Sequence, residues 1–177
     1  MTSRPINYFN LLKIVDSPLT LNCSVTSGTI SASSSTTGAT YSWAGLGIVS
    51  GGTSASPTVN VAGTYTVTAT DANGCTQSAT TIISQPPALN DTAAVTANIL
   101  CAGSATGSVN ATAGGGVAPY TYNWGSAGSG ATLNGLAGGS YTVTITDANG
   151  CTATSATAIP VPAPIALNLT PTNAQCG

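Results

Sequence analysis

The residues of this sequence that are best suited to chemistry are its five cysteines. Two of them end the segments "TYTVTATDANGC" at 64–75 and "SYTVTITDANGC" at 140–151, which differ only at their first and sixth letters. Thiols can act as nucleophiles, bind metals or form disulfides. A segment that occurs twice in one chain is either a duplicated active-site loop or a structural element that the protein repeats.

Catalytic and metal-binding chemistry lacks the necessary companion residues. Nucleophilic catalysis normally needs a neighbouring base, and the sequence has no histidine. The aspartates are scattered, and thiolate metal sites need closely spaced cysteines or histidines that are missing here. Asp71 and Asn73 offer two oxygen ligands, whereas calcium takes about six to eight, so a hairpin turn is the favoured interpretation. The sequence predicts no enzyme, no cofactor and no metal site.

A repeat of about 76 residues organises the chain. Asp71 and Asp147 are 76 residues apart, and Trp43 and Trp124 are 81 apart. Proline-rich stretches separate the copies, because "SQPPAL" at 84–89 has a counterpart in "PVPAPIAL" at 160–167. The predicted segments are an N-terminal edge segment at 1–17, a first repeat at 18–86, a second repeat at 87–164, and the first strand of a third repeat, or a donor strand, at 165–177. The sequence is therefore expected to be cut from a longer array.

Alternating residues predict β-strands in both repeats. In the first copy Tyr65, Val67 and Ala69 alternate with threonines, which is the pattern of a strand with one buried face. Glycine, threonine, serine and proline interrupt every amphipathic helical window. We expect an all-β chain with one small Greek-key sandwich per repeat. The predicted core contains Trp43, Tyr65, Val67, Trp124, Tyr141 and Val143.

The repeat also constrains the cysteines. If each repeat is closed by its own bridge, the only pairing that treats both copies alike is Cys23 with Cys75 and Cys101 with Cys151. Each bridge would close a loop of about 50 residues and stabilise its unit by roughly 4 kcal/mol. Cys176 would be left as a thiol for a third repeat or a neighbouring subunit. Structural disulfides form in oxidising compartments, so the sequence predicts an extracellular location.

The charge content excludes two classes of partner. Only 3% of the residues are charged, the formal net charge is −2, and 42% of the residues are hydrophobic. Binding to nucleic acid or to an anionic membrane surface needs clustered lysine and arginine, of which this chain has two in total. No apolar run reaches the ~18 residues of a membrane span. We expect no nucleic-acid partner and no membrane insertion.

Two sets of motifs resemble known repeat families. The run "GGGVAPYTYNW" followed by "LAGGSYTVTITDANGCTATSATAIPVP" closely resembles the SprB-type repeat of very large Bacteroidota cell-surface proteins, including gliding adhesins. The motifs "LTLNC", "YSWAGLG", "SPTV" and "GTYTVTATDANGC" are similar to the PKD-like, immunoglobulin-like repeats of the same giant proteins. Together these cover about residues 18–164. The resemblance implies an extracellular β-sandwich array in which the repeats serve as stalk or adhesive modules.

The sequence leaves two functional hypotheses open. The first is a structural extracellular protein that forms part of a surface fibre, filament or adhesin stalk, with neighbouring copies as partners through 165–177. The second is a module that binds surface glycans through exposed aromatics or the loop "AGLGIVSGGTSAS". Trp43 and Trp124 are expected to serve the core rather than to stack on sugars. Thr92 lies in "DTA", which fits a short pattern for O-glycan attachment in some Bacteroidota.

Overall fold

The computed structural model describes residues 12–15 and 19–169. Within this part of the chain the regular structure is β-strand, apart from a three-residue 3-10 helix at Gly125–Ala127. None of the described residues belongs to a helix that is long and apolar enough to cross a bilayer. The all-β prediction is confirmed.

Contacts between Cα atoms divide the chain into two units. The first unit contains the residues up to 88 together with the loops 115–118 and 147–151. The second unit contains 89–114, 119–146 and the residues from 152 onward. The two loops are therefore assigned to the first unit although they lie within the second sequence repeat.

The described residues of the first unit form eight strands in three antiparallel sheets. They are β1 (Leu12–Ile14), β2 (Gly28–Thr29), β3 (Ala32–Ser34), β4 (Thr40–Ala44), β5 (Ile48–Ser50), β6 (Thr58–Val59), β7 (Gly63–Thr70) and β8 (Thr76–Ile83). The sheet orders are β1-β3, β2-β6-β5 and β4-β7-β8. Strand β1 pairs with β3, and Leu12 is buried in the core of this unit. The expected repeat boundaries stay predictions.

The core of the first unit lies between its sheets. On β7 the side chains of Tyr65, Val67 and Ala69 are fully buried, as their alternation with threonine predicts. Trp43 on β4 lies opposite Val67 in the register of the two strands. Ile30 and Val59 are buried members of the same cluster.

In the second unit, the part of the chain that the structure describes forms six strands in two antiparallel sheets. They are β9 (Asn90–Ala97), β10 (Gly107–Gly114), β11 (Thr121–Asn123), β12 (Thr132–Leu136), β13 (Gly139–Thr146) and β14 (Thr152–Ile159). The sheet orders are β12-β10-β9 and β11-β13-β14. The chain crosses from one sheet to the other between β11 and β12 and returns at β13, which is the Greek-key connection of immunoglobulin-type sandwiches. The order β11-β13-β14 repeats the order β4-β7-β8 of the first unit.

The core of the second unit repeats the composition of the first. Trp124 is 4% exposed, and Val143 and Ile145 on β13 are fully buried. Tyr141 is partly buried and packs against the same cluster. The apolar face of the duplicated segment therefore points into a core in both units.

Each duplicated tyrosine also closes a backbone corner. The hydroxyl of Tyr65 donates to the carbonyl oxygen of Val61 at 2.7 Å and lies within reach of the carbonyl of Leu46. The hydroxyl of Tyr141 donates to the carbonyl oxygen of Ala137 at 2.8 Å. Such a bond from a tyrosine to a carbonyl a few residues upstream is the tyrosine corner of immunoglobulin-like sandwiches.

The predicted fold class is confirmed by these sheets and corners. The expectation of one disulfide per unit is wrong, because the disulfide of the described residues joins Cys23 to Cys151, both in the first unit.

Candidate functional site: the cysteine-bearing turns

The duplicated segment ends in the same turn in both copies. In the turn between β7 and β8, Asp71 Oδ1 accepts hydrogen bonds from the backbone N–H groups of Asn73 at 2.8 Å and Cys75 at 2.9 Å. In the turn between β13 and β14, Asp147 Oδ1 accepts from the residues two and four positions later, both at 2.9 Å. The aspartate side chain therefore serves to hold the backbone of the turn.

Backbone bonds and a glycine complete the first of these turns. The N–H of Asp71 donates to the carbonyl oxygen of Cys75 at 3.0 Å, and the N–H of Gly74 donates to the carbonyl oxygen of Asp71 at 3.1 Å. Gly74 has a φ of 83°, which favours glycine because it has no Cβ. Asp71 is only 8% exposed, so its carboxylate is not presented to a ligand. No cluster of three or more His, Cys, Asp or Glu suited to a metal ion occurs among the residues that the structure describes.

The second turn is held at one further point. Asp147 Oδ2 accepts a hydrogen bond from the N–H of Val117 at 3.0 Å, and the N–H of Ala148 donates to the carbonyl oxygen of Val117 at 2.8 Å. Burial acts to raise the pKa of the Asp147 carboxyl. The backbone hydrogen bonds, led by the one from Val117 and followed by those from the turn itself, outweigh burial and hold the pKa below its ordinary value. Asp147 is therefore a charged anchor for both loops.

The disulfide of the structure joins Cys23 to Cys151, with 5.6 Å between the Cα atoms and a sequence separation of 128. Both cysteines belong to the first contact unit, because the loop 147–151 is part of it. Ser24 Oγ donates a hydrogen bond to the carbonyl oxygen of Asn149 at 3.0 Å beside the bridge. The predicted pairs Cys23–Cys75 and Cys101–Cys151 are wrong.

The error has a physical origin in how a repeat constrains its cysteines. Equivalence of the copies requires that the first cysteine of each repeat, Cys23 or Cys101, be bonded to a cysteine that ends an aspartate turn, Cys75 or Cys151 (a turn cysteine). It does not require that both lie in the same copy. Cys23 meets this requirement with the turn cysteine of the next repeat as well as with its own. The sequence contains no signal that distinguishes the two arrangements.

The other two described cysteines, Cys75 and Cys101, are free and exposed thiols. Cys75 sits at the end of the first aspartate turn, as Cys151 does at the end of the second. Cys101 begins a short turn in which its carbonyl oxygen accepts from the N–H of Ser104 at 3.1 Å and from its hydroxyl at 2.8 Å. Cys176, expected to bond to another repeat or subunit, lies outside the described residues.

Cys101 lies in the wall of an apolar depression on the second unit. It has a volume of about 330 Å³ and is lined by Leu100, Cys101, Ala102 and the segment 162–165. The side chain of Leu100 is 86% exposed and that of Ile165 is 97% exposed. This thiol therefore lies in a patch of apolar side chains that the second unit leaves open to solvent.

The tryptophans serve the cores. Trp43 is 7% exposed, and its indole N–H donates to the carbonyl oxygen of Ser54 at 3.0 Å. Trp124 donates in the same way to Gly130 at 2.9 Å. With one indole edge bonded and the rest buried, neither ring offers a broad face for stacking on a sugar.

Thr92, the residue of the predicted O-glycan, lies on β9 and is exposed. Its Oγ1 lies 2.6 Å from Oγ1 of Thr112 on the neighbouring strand. Glycosylation at this position stays a prediction.

The match to a family model falls mainly in the second unit. Residues 93–129 match the SprB repeat. The SprB repeat match includes β10, β11 and the 3-10 helix, and it contains Cys101 and Trp124. It confirms the SprB-type resemblance that the sequence motifs indicated. No curated protein sequence matches the chain.

Several solved structures share distant similarity with most of the chain. A C-terminal fragment of intimin, in complex with the intimin-binding domain of its translocated receptor, has a TM-score of 0.47 and 15% identity over 85% of this chain and 63% of that one. Immunoglobulin domains 1–4 of Sidekick-1 give 0.44 and 13% over 83% and 48%. Cadherin domains 3–6 of protocadherin gamma B2 give 0.43 and 11% over 84% and 46%. The chain thus spans less than two thirds of each of these structures, and the fold assignment rests on the strand order described above.

Proposed function

We propose that this chain is a structural repeat segment of an extracellular fibre, filament or adhesin stalk. The observation that carries the proposal is the use of the duplicated segment: in both copies its tyrosine closes a corner, its valine fills the core and its aspartate holds the turn. A duplicated active-site loop would instead present such side chains to a substrate. What the chain repeats is a folding unit.

The location outside the cell is supported by two further features. The Cys23–Cys151 disulfide requires an oxidising compartment to form and persist. The SprB repeat at 93–129 resembles repeats of exported surface proteins. We therefore assign the segment to the cell surface, with neighbouring repeats or subunits as its partners and without a catalytic role.

The segment after the second repeat supports assembly with a neighbour. Residues 160–169 form no strand, and the alternating side chains of Ile165, Leu167 and Leu169 are 97%, 79% and 82% exposed. An extended segment with apolar residues at every second position can add to the edge of another sheet, where main-chain hydrogen bonds and pockets for alternate side chains hold it. Edge strands such as β14, which contains no charged residue, lack the lysines that discourage such pairing. In our proposal the segment 165–177 is the donor strand.

Electron microscopy of the purified chain tests this function. We expect linear polymers of wild-type protein and their loss in a variant that lacks 165–177. A second variant replaces Ile165, Leu167 and Leu169 by asparagine. It keeps the length of the segment but removes its apolar side chains, and it should abolish polymers to the same degree as the deletion. Isolated globules in the wild-type sample at all concentrations would overturn the structural proposal, and polymers that survive both changes would overturn the donor strand.

A second candidate function is supported by a depression on the second unit. It has a volume of about 450 Å³ and is lined by Asn123, Trp124, Ser126, Tyr141, Thr142 and Thr144 among others. Hydroxyl and amide groups beside aromatic side chains are groups that bind sugars. Binding on a glycan array that is lost in Thr142→Ala and retained in Thr154→Ala, a change on the next strand, would support adhesion. An array without signal would remove this candidate.

A further inference from the structure

The two free thiols of the structure are complementary to each other across copies of the chain. We propose that Cys101 of one copy forms a disulfide with Cys75 of the next copy, so that successive copies are joined covalently from head to tail. This inference rests on the proposed function as a repeat segment of a fibre. It goes further by naming the joint and its chemistry.

The pairing rule comes from the disulfide already present. We call Cys23 and Cys101 the early cysteines and Cys75 and Cys151 the turn cysteines of their repeats. The observed bond joins the early cysteine of the first repeat to the turn cysteine of the second. Under the same rule Cys101 requires the turn cysteine of a following repeat, and Cys75 requires the early cysteine of a preceding one. A second copy placed after the first supplies Cys75, and one bond satisfies both thiols.

The turn that carries Cys75 is already in the conformation of the bonded one. In both turns the aspartate carboxylate accepts from the backbone N–H of the cysteine at 2.9 Å, and the cysteine carbonyl accepts from the aspartate N–H at 3.0 Å. Gly74 and Gly150 have φ values of 83° and 79°. The backbone that positions the sulfur of Cys151 in a disulfide is thus reproduced around Cys75, whose thiol is exposed.

The surroundings of Cys101 suit a second copy of the chain. The thiol is exposed within the apolar depression of about 330 Å³ lined by Leu100 and the segment 162–165. Apolar side chains exposed to the extent of Leu100 and Ile165 gain free energy when another surface covers them. With a formal net charge of −2 per chain, repulsion between copies is small.

The covalent step balances with a small-molecule disulfide such as oxidised glutathione as the oxidant. The thiolate of one cysteine attacks the glutathione disulfide and releases one glutathione thiol. The thiolate of the other cysteine then attacks the mixed disulfide and releases the second glutathione. One sulfur–sulfur bond forms between the copies, one is cleaved in the oxidant, and the two protons of the cysteine thiols are transferred to the two glutathione thiolates.

The test uses the full chain with Cys176→Ser in every version, so that Cys75 and Cys101 are the thiols under study. Incubation with oxidised glutathione should convert the parent protein into a ladder with steps of one chain mass, 17.1 kDa, on a non-reducing gel. Dithiothreitol should return the ladder to monomer. Mass spectrometry should identify the peptide pair that joins residue 75 to residue 101, together with the Cys23–Cys151 pair within each chain.

Two single variants make the head-to-tail assignment decisive. Cys75→Ser alone and Cys101→Ser alone should each stay monomeric, whereas an equimolar mixture should give dimers and no longer species, because each chain keeps one usable end. Symmetric dimers of either single variant, an intrachain Cys75–Cys101 bond, or no bond in the parent protein would each overturn the proposal. Circular dichroism that matches the parent shows that the variants are folded.

Electron microscopy separates failure of the joint from failure of the proposed function. Polymers of the parent protein that contain no Cys75–Cys101 peptide would overturn the covalent joint and leave the structural role intact. The absence of both polymers and the peptide pair would overturn both proposals.

Discussion

The hydroxyl of Tyr141 donates a hydrogen bond to the carbonyl oxygen of Ala137 at 2.8 Å, and Tyr65 makes the equivalent bond to Val61 at 2.7 Å. The two bonds occur at matching positions of the duplicated segment. Each ties the start of a core strand, β7 or β13, to the loop that precedes it. The corner should therefore contribute to the stability of each unit through one neutral hydrogen bond.

Replacement of either tyrosine by phenylalanine removes that bond and keeps the ring in the core. We expect Tyr65→Phe and Tyr141→Phe each to lower the free energy of unfolding by about 1 kcal/mol in urea denaturation. Tyr122→Phe is the matched control, since that hydroxyl has no hydrogen-bond partner among the described residues, and it should change stability by less than about 0.5 kcal/mol. Equal losses in all three variants would show that the corner bonds contribute nothing specific.

The disulfide should make the cysteines unequal in their contribution to stability. Cys23→Ser opens a loop of 128 residues, and the chain-entropy model gives a loss on the order of 5 kcal/mol. Cys75→Ser and Cys101→Ser change exposed thiols and should stay within about 0.5 kcal/mol of wild type. Monomeric protein unfolded in urea, with and without reductant, measures these differences. A large loss in Cys75→Ser would point to the pairing within repeats instead.

Acid should weaken the fold through Asp147. Because the pKa of this carboxyl is lowered in the folded protein, its contribution to stability is present above the unfolded pKa of about 3.9 and is lost as the pH falls through the folded pKa. When the pH is lowered from about 5 to about 2, the free energy of unfolding measured in urea should therefore fall less in Asp147→Asn than in the wild-type protein. Parallel curves for the two proteins would contradict this assignment.

The glycines of the two turns should resist substitution for reasons of backbone conformation. A Cβ on Gly74 would meet no heavy atom within 4 Å, so the cost of Gly74→Ala comes from the φ of 83° alone. We expect about 1 to 2 kcal/mol in thermal or urea unfolding, and less for Gly74→Asn. Gly52→Ala is the control, because its Cβ would make an ordinary contact at 3.6 Å with Ile48 and its φ is not in the left-handed region. A cost at Gly52 as large as that at Gly74 would refute the explanation.

The strands were predictable because their signal is local. The alternation around Tyr65 and Val67 predicts which face of β7 is buried, and the sequence Asp-Ala-Asn-Gly predicts where the strand ends in a turn. The short strands β2 and β6, with two residues each, carry no such pattern. Their partners are chosen by tertiary packing, which a period of two residues does not encode.

The cysteine pairing was not predictable, because it depends on which copy a residue meets. The local sequences around Cys23 and Cys75 are compatible both with a bridge within one repeat and with a bridge to the next repeat. The choice is made by contacts that the loop 147–151 forms within the first unit, such as that of Ser24 with Asn149. Sequence separation of 128 residues places these contacts beyond any local pattern.

The Cys23–Cys151 bridge also determines what part of the chain can lengthen under mechanical load. A force applied to the chain before Cys23 and after Cys151 passes through the covalent bond, so the strands between these residues carry little tension. Until the disulfide is reduced, about 450 Å of contour length cannot be extended, taken as roughly 3.5 Å for each of the 128 residues. A stalk built in this way would stretch only through the short segments outside its bridges, and an extracellular reductant would convert it from an inextensible tether into a compliant one.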